Sequence, residues 1–272
     1  MAIVKRFHND IDTVVPTQPP ASALPAGFVI PPGVYSFGGA NYDCTSEGLY
    51  RFWDPLGQTQ QRLVYHSDVD ALMSGLAWVV VNGRADESLS VLAMTNKAVT
   101  SKLSMLCGRT VEWAKAICDS LGVEARICNA LTGAAPTNYY DGHVMIEAKL
   151  GGVWKLYDLS NNFTYGGLPL KDALPLLPAI PDVAIAADGY AVEGWAPGSF
   201  DVTMWQETTM RTPGQSRSER ERVLQMPGIL HSDGLTYFYL PAGMESRQSW
   251  VLALSSAYRV VSKTAWEGMF YP

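Results

Sequence analysis

The sequence predicts an α+β protein, and three observations carry that expectation. Aromatic and β-branched runs punctuated by Gly and Pro fill residues 28–66. The apolar period then lengthens to that of helices as far as Leu121. After Gly122 it shortens to strand-like runs, two of them joined by Gly151-Gly152. The chain has 272 residues, 47% hydrophobic and 17% charged. That size suits one large domain with appendages, burying roughly 70–75% of its unfolded surface. A net charge of −6 and a pI near 5.2 exclude nucleic acid or an anionic membrane as the main partner. No apolar run approaches the roughly 18 residues of a membrane span; Leu76–Val81 is the densest. Met1–Asp10 lacks the apolar centre of a secretory signal, so a cytoplasmic or virion-associated location is expected. Four cysteines are too few for a disulfide framework, and no C-x-x-C or H-x-x-x-H occurs. No metal and no cofactor are therefore expected.

Residues 1–34 hold six of the 17 prolines: Pro16, Pro19, Pro20, Pro25, Pro31 and Pro32. Fixed φ and missing donors discourage helix and central strand there. The segment reads as an extended arm, lying on its own domain or docking on a partner subunit. Phe28–Ile30, Val34–Phe37, Leu49–Trp53 and Arg62–Tyr65 read as strands of a small antiparallel sheet or of the flank of a larger one. Val69, Leu72, Met73, Leu76, Val79 and Val80 then recur at helical spacing, closed by Asn82-Gly83. A second helix is expected over 86–104, with Leu89, Leu92, Ala93, Ala98 and Leu103 inward. A third follows Cys107, with the stripe Val111, Ala114, Ile117, Cys118, Leu121, and stops at Gly122.

Ala125–Cys128 reads as a strand, followed by a turn-rich loop over 132–138. His143–Leu150 alternates like a half-buried strand, Gly151-Gly152 is a hairpin turn, and Val153–Tyr157 returns with Asp158 at its end. Leu168–Pro181 has four prolines and reads as a loop wrapping the core. Asp233-Gly234 joins Gly228–Leu230 to Leu235–Leu240 in a second hairpin, and Trp250–Leu254 and Tyr258–Val261 are further strand candidates. The organisation expected is an arm over 1–34, a β-rich segment over 35–66, a core over 67–165, and a loop- and strand-rich C-terminal extension over 166–272.

A thiol nucleophile needs a lowered pKa, a base, and a group that orients the base. Cys107 sits where an irregular segment becomes a helix, so first-turn N–H groups and the positive helix end favour its thiolate. His143 opens a strand directly after Asp141-Gly142. The Gly151-Gly152 turn lies midway between His143 and Asp158, so folding there brings both to one end of adjacent strands. A carboxylate beside the imidazole fixes its tautomer and stabilises the imidazolium.

The run Cys107-Gly-Arg-Thr-Val-Glu-Trp-Ala-Lys-Ala-Ile-Cys-Asp-Ser-Leu-Gly-Val-Glu-Ala-Arg126 resembles the core motif of the transglutaminase-like superfamily. His143-Val-Met-Ile-Glu147 is similar to the family's His-Ala-Trp-x-Glu strand, and Val153-Trp-Lys-Leu-Tyr-Asp158-Leu-Ser160 to its Trp-x-x-x-Asp-Pro-Thr ending. Met145 replaces the family's aromatic, Leu159-Ser160 replaces Pro-Thr, and Val111 stands where a small residue is usual. The resemblance covers residues 68–162. It implies a papain-related core, a Cys-bearing helix packed on an antiparallel sheet that carries His and Asp, with β-rich additions at both ends. It also implies a catalytic triad of Cys107, His143 and Asp158.

The expected function is that of a cysteine acyltransferase, amidohydrolase or protease. It would act on amide or peptide bonds of a protein or peptide substrate through a thioester, with hydrolysis, deamidation or cross-linking as outcomes. The alternative is a structural or assembly protein, such as a component of a viral or phage particle, built on the same fold with an idle or secondary active site and self-associating or binding an assembly partner through the arm. Cys118 and Cys128 read as small core hydrophobes, Arg126 as a structural ion-pair donor, and His8, His66 and His231 as surface or structural. The four arginines of Arg211–Arg222, offset by Glu219 and Glu221, read as a solvated face. Asp182 and Asp188 read as strand-end residues rather than calcium ligands.

Overall fold

The computed structural model describes residues 69–99, 103–132, 142–161, 163–176 and 224–272, with the segments 3–6, 11–14, 29–31, 33–37, 40–44, 48–53, 59–64 and 183–184. The chain forms two compact units. The first comprises Met1–Ile117, Leu159–Asn162 and Ala184–Pro213; the second comprises Cys118–Asp158, Phe163–Val183 and Gly214–Pro272.

The first unit begins with strands: Ile3–Arg6 (β1), Ile11–Val14 (β2), Val29–Ile30 (β3), Gly33–Phe37 (β4), Ala40–Cys44 (β5), Gly48–Trp53 (β6) and Thr59–Val64 (β7). Five of them form a sheet in the order β2-β1-β6-β7-β3, and β4 pairs with β5. The aromatic and β-branched runs fall on the strands β3, β4, β6 and β7, but in two sheets rather than one, and β3 joins β7 in parallel rather than antiparallel. The strands β1 and β2 lie within the stretch read as an arm, and both precede its first proline, Pro16. The prolines at 16, 19, 20, 25 and 32 lie outside the described residues.

Val69–Val79 forms α1, burying Val69, Leu72, Met73, Leu76 and Val79. Val80–Asn82 (β8) follows it directly. The next helix, α2, is shorter than the expected 86–104 and spans Val91–Ala98. Local polar chemistry decides this. The Ser90 hydroxyl accepts from the Ala93 N–H at 3.2 Å and so fixes the helix start. Upstream, the Asp86 carboxylate accepts from Lys97 Nζ at 2.7 Å and from the Ser104 N–H at 2.8 Å, which ties the turn down outside the helix. Leu103 belongs to a strand, Leu103–Met105 (β9), paired in parallel with β8. Leu92 is 71% exposed rather than inward; Met94 and Ala98, four residues apart, are the buried pair.

Cys107–Ser120 forms α3 where the stripe places it, and Val111, Ala114, Ile117 and Cys118 are buried. Its end is a Schellman motif. Gly122 takes φ +69°, its N–H reaches the Asp119 carbonyl at 3.2 Å, and the Val123 N–H reaches the Cys118 carbonyl at 2.9 Å.

In the second unit the chain runs through Ala125–Thr132 (β10), Gly142–Leu150 (β11), Val153–Asp158 (β12) and Phe163–Thr164 (β13). Leu170–Ala173 (α4) and a 3₁₀ turn at Leu174–Leu176 follow, then Val183–Ala184 (β14), Leu224–Leu230 (β15) and Thr236–Tyr239 (β16). Gln248–Leu254 (α5), Tyr258–Val261 (β17) and Lys263–Phe270 (α6) complete it. The sheet order is β14-β13-β12-β11-β10-β15-β16-β17. Around β10, β11, β12 and β15 the described pairs are antiparallel, and β16–β17 is parallel. Helix α4 packs on β12, α5 on β17 and α6 on β16. The architecture is thus α+β, with helices packed against a largely antiparallel sheet.

Three elements differ from expectation here. The start of Leu168–Pro181 is a helical turn rather than a loop: Leu170, Ala173 and Leu174 are buried, and Pro169 sits at the helix entry, where its fixed φ is tolerated. Trp250–Leu254 is helix, not strand. It continues the 3₁₀ turn Glu245–Arg247 and buries Val251 alone, leaving Leu252 and Leu254 exposed. Helix α6 was not foreseen. Its signals are Ser262, whose hydroxyl accepts from the Ala265 N–H at 3.2 Å, and the buried pair Trp266 and Phe270 at i, i+4.

Candidate active site

Strand β11 alternates, so His143, Met145 and Glu147 share one face. The register Ile146↔Tyr157 sets Met145 opposite Asp158, and Cys128 pairs with Met145 on the other side. On this face Cys128, Ala130, Met145, Leu156 and Ile229 meet Tyr165, Leu170, Leu174, Trp266 and Phe270 in one core cluster. The Gly151-Gly152 turn, with φ of +59° and +86°, fixes that register. His143 and Asp158 are therefore diagonal neighbours, not direct partners. That is within reach of an imidazole.

The side chains meet. His143 Nε2 lies 2.9 Å from Asp158 Oδ2, with His143 5% exposed and Asp158 fully buried. The contact is at ion-pair distance. The hydroxyl of Tyr165 donates to the same Oδ2 at 3.0 Å. Tyr165 is a member of this cluster that the sequence reading missed. Only the short return through β13, which pairs Phe163 with Asp158, brings it back to the carboxylate.

Cys107 is the first residue of α3 and half-buried. The Leu106 carbonyl accepts the first helical hydrogen bond, from the Thr110 N–H at 2.9 Å. The thiol therefore sits in the first turn, among N–H groups with no acceptor inside the helix and at the positive end of the dipole. The turn before α2 anchors this helix start. Asp86 takes the Ser104 N–H, Glu87 Oε1 takes the Leu106 N–H at 3.3 Å, and Arg109 donates to the Leu89 carbonyl. Arg109 Nη1 also reaches Glu112 at 2.6 Å.

Cys118 and Cys128 are fully buried, as core residues should be. Burial, with Glu147 nearby, pushes the Cys128 thiol well above the ordinary cysteine value. Arg126 is a structural ion-pair donor: Nε donates to Glu147 Oε2 at 2.7 Å and Nη1 to the Phe270 carbonyl at 2.6 Å. His231 is a surface residue, Nδ1 lying 3.2 Å from Asp233 Oδ2 and its ring edge-on to Tyr237. His8, His66, Asp182, Asp188 and Arg211–Arg222 lie outside the described residues.

Among the described residues no cluster of His, Cys, Asp or Glu could hold a metal ion, and no helix is long and apolar enough to cross a membrane. Comparison with protein-family models, with curated proteins and with solved structures found no match.

Proposed function

We propose that this chain is a transglutaminase-like cysteine enzyme acting on amide or peptide bonds of a protein or peptide. Cys107 is the nucleophile, His143 the acid and base, and Asp158 the group that orients the imidazole. The observation that carries the reading is the buried His143–Asp158 contact at 2.9 Å, since a carboxylate beside the imidazole is what fixes a catalytic histidine's tautomer and stabilises its imidazolium. The position of Cys107 in the first turn of a 14-residue helix supports it.

In this reading the His143 imidazole is the base for the Cys107 thiol. The thiolate attacks the carbonyl carbon, and first-turn N–H groups hold the oxyanion. His143 returns the proton to the nitrogen as the C–N bond breaks, which leaves a thioester and a free amine or ammonia. Water or an amine then gives its proton to His143 and attacks the thioester. Water yields an acid and an amine yields a new amide; exclusion of water from the site selects between them.

Incubation with a peptide library, read by mass spectrometry, tests the reading. A mass gain of about one dalton at a carboxamide, chain scission or an amide cross-link is expected, and Cys107→Ala abolishes it. A product that survives Cys107→Ala, or none with any peptide, contradicts it.

A further inference from the structure

We infer that Tyr165 is a positioning residue that holds the Asp158 carboxylate ionised and aimed at His143, an assignment resting on the function proposed above. A fully buried carboxylate resists ionisation unless its charged form is hydrogen-bonded. Asp158 is fully buried, and Tyr165 donates to its Oδ2, the oxygen that faces His143 Nε2. The phenol is itself held. Its ring is 1% exposed within the core cluster around Leu156, Leu170 and Leu174. Its carbonyl accepts from the Leu168 N–H at 3.1 Å, and the Leu168 carbonyl accepts from the Leu156 N–H at 2.9 Å, so the segment is laced back onto β12. The hydroxyl is thus a fixed donor. Tyr165 and His143 converge on one oxygen; the phenol, fixed in the core, sets the carboxylate that the imidazole meets.

Tyr165→Phe keeps the ring and removes the donor. Its expected effect is a loss of about tenfold in kcat for Cys107-dependent amide turnover, with KM unchanged, the size set by one hydrogen bond to a charged group. In an Asp158→Asn background the same change should cost nothing further, because Tyr165 acts through Asp158. A purely structural tyrosine would cost the same in both backgrounds. The second readout is the pair of ring ¹⁵N resonances of His143, recorded in Cys107→Ala protein. Tyr165→Phe should displace them, and fluorotyrosine at position 165, a stronger donor, should displace them the opposite way. Unmoved resonances, or additive losses in the double variant, overturn the assignment. If Cys107-dependent turnover is absent altogether, the proposed function fails, and the resonances still decide whether Tyr165 governs the His143–Asp158 pair.

Discussion

Strand β11 carries two buried polar clusters on one face, four residues apart, and they are built differently. At Glu147 the carboxylate is saturated: Oε2 takes Arg126, while Oε1 takes the Leu170 N–H and the Tyr271 hydroxyl at 2.8 Å. Arg126 is further held over the rings of Trp154, at 3.9 Å, and Tyr271, at 4.4 Å. A permanently charged fork and a carboxylate thus lock β10, β11, α4 and the residues after α6 together. At His143 the partner of the buried carboxylate is an imidazole, the side-chain type suited to act as both acid and base, with Nε2 2.9 Å from Asp158 Oδ2. Burial and charge alone do not separate a brace from a working site. In the proposed function, the chemistry of the carboxylate's partner is what separates them.

That contrast can be broken or sharpened by substitution. His143→Ala should lower Cys107-dependent turnover by about 10²–10⁴-fold, the usual worth of a positioned acid or base, and should also cost stability, because the imidazole is itself half of a buried pair. Glu147→Ala should cost stability while leaving the turnover of the folded protein nearly unchanged. Removing one partner of a buried pair costs about 3–5 kcal/mol of stability, and urea unfolding should show it. A Glu147→Ala variant as stable as the parent would erase the distinction.

Alkaline pH probes the brace. Burial raises Tyr271 far above its ordinary 10.0, and Glu147 adds to the effect. Cys128 is raised above 9.0 for the same first reason. A group whose pKa is raised on folding holds its proton in the native state after the unfolded chain has released it. Its stabilisation is therefore complete below the unfolded value and is lost as pH climbs past it. Stability should fall above pH 9.0, set by cysteine, and more steeply above 10.0, set by tyrosine, by about 1.4 kcal/mol per pH unit for each group. Tyr271→Phe and Cys128→Ala should each flatten the decline measured by urea titration. Smaller again is Gly152→Ala, at φ +86° in the turn that sets the β11–β12 register; about 1 kcal/mol is expected from the left-handed strain. Leu92→Ser, at 71% exposure, should stay within about 0.5 kcal/mol.

The elements that position these clusters were legible where one local rule governs them. Helix α3 shows its stripe and its Gly122 stop, and the β11–β12 hairpin shows alternation and two glycines. The pairing of His143 with Asp158 followed from that turn, although the register makes it diagonal rather than direct. Arg126 was read as an ion-pair donor without its acceptor, because Glu147 lies 21 positions away on a neighbouring strand. Elements in which composition and local chain chemistry disagree were misread. The Trp250–Leu254 run has strand composition, yet it continues a 3₁₀ turn as helix. The 86–104 pattern mixes a helix, a capped turn and a strand that β8 recruits. Tyr165 carries no sequence signal at all; its role appears only when β13 folds back beside Asp158.

The central claim is that the Cys107 sulfur is activated by the His143 imidazole. Its most direct measurement is the rate of iodoacetamide alkylation at Cys107 near neutral pH, resolved from the other cysteines by mass spectrometry. The account predicts selective labelling of Cys107, faster than in the urea-unfolded chain, and a marked slowing in His143→Ala. Labelling of Cys107 at the unfolded rate, indifferent to His143→Ala, would contradict it.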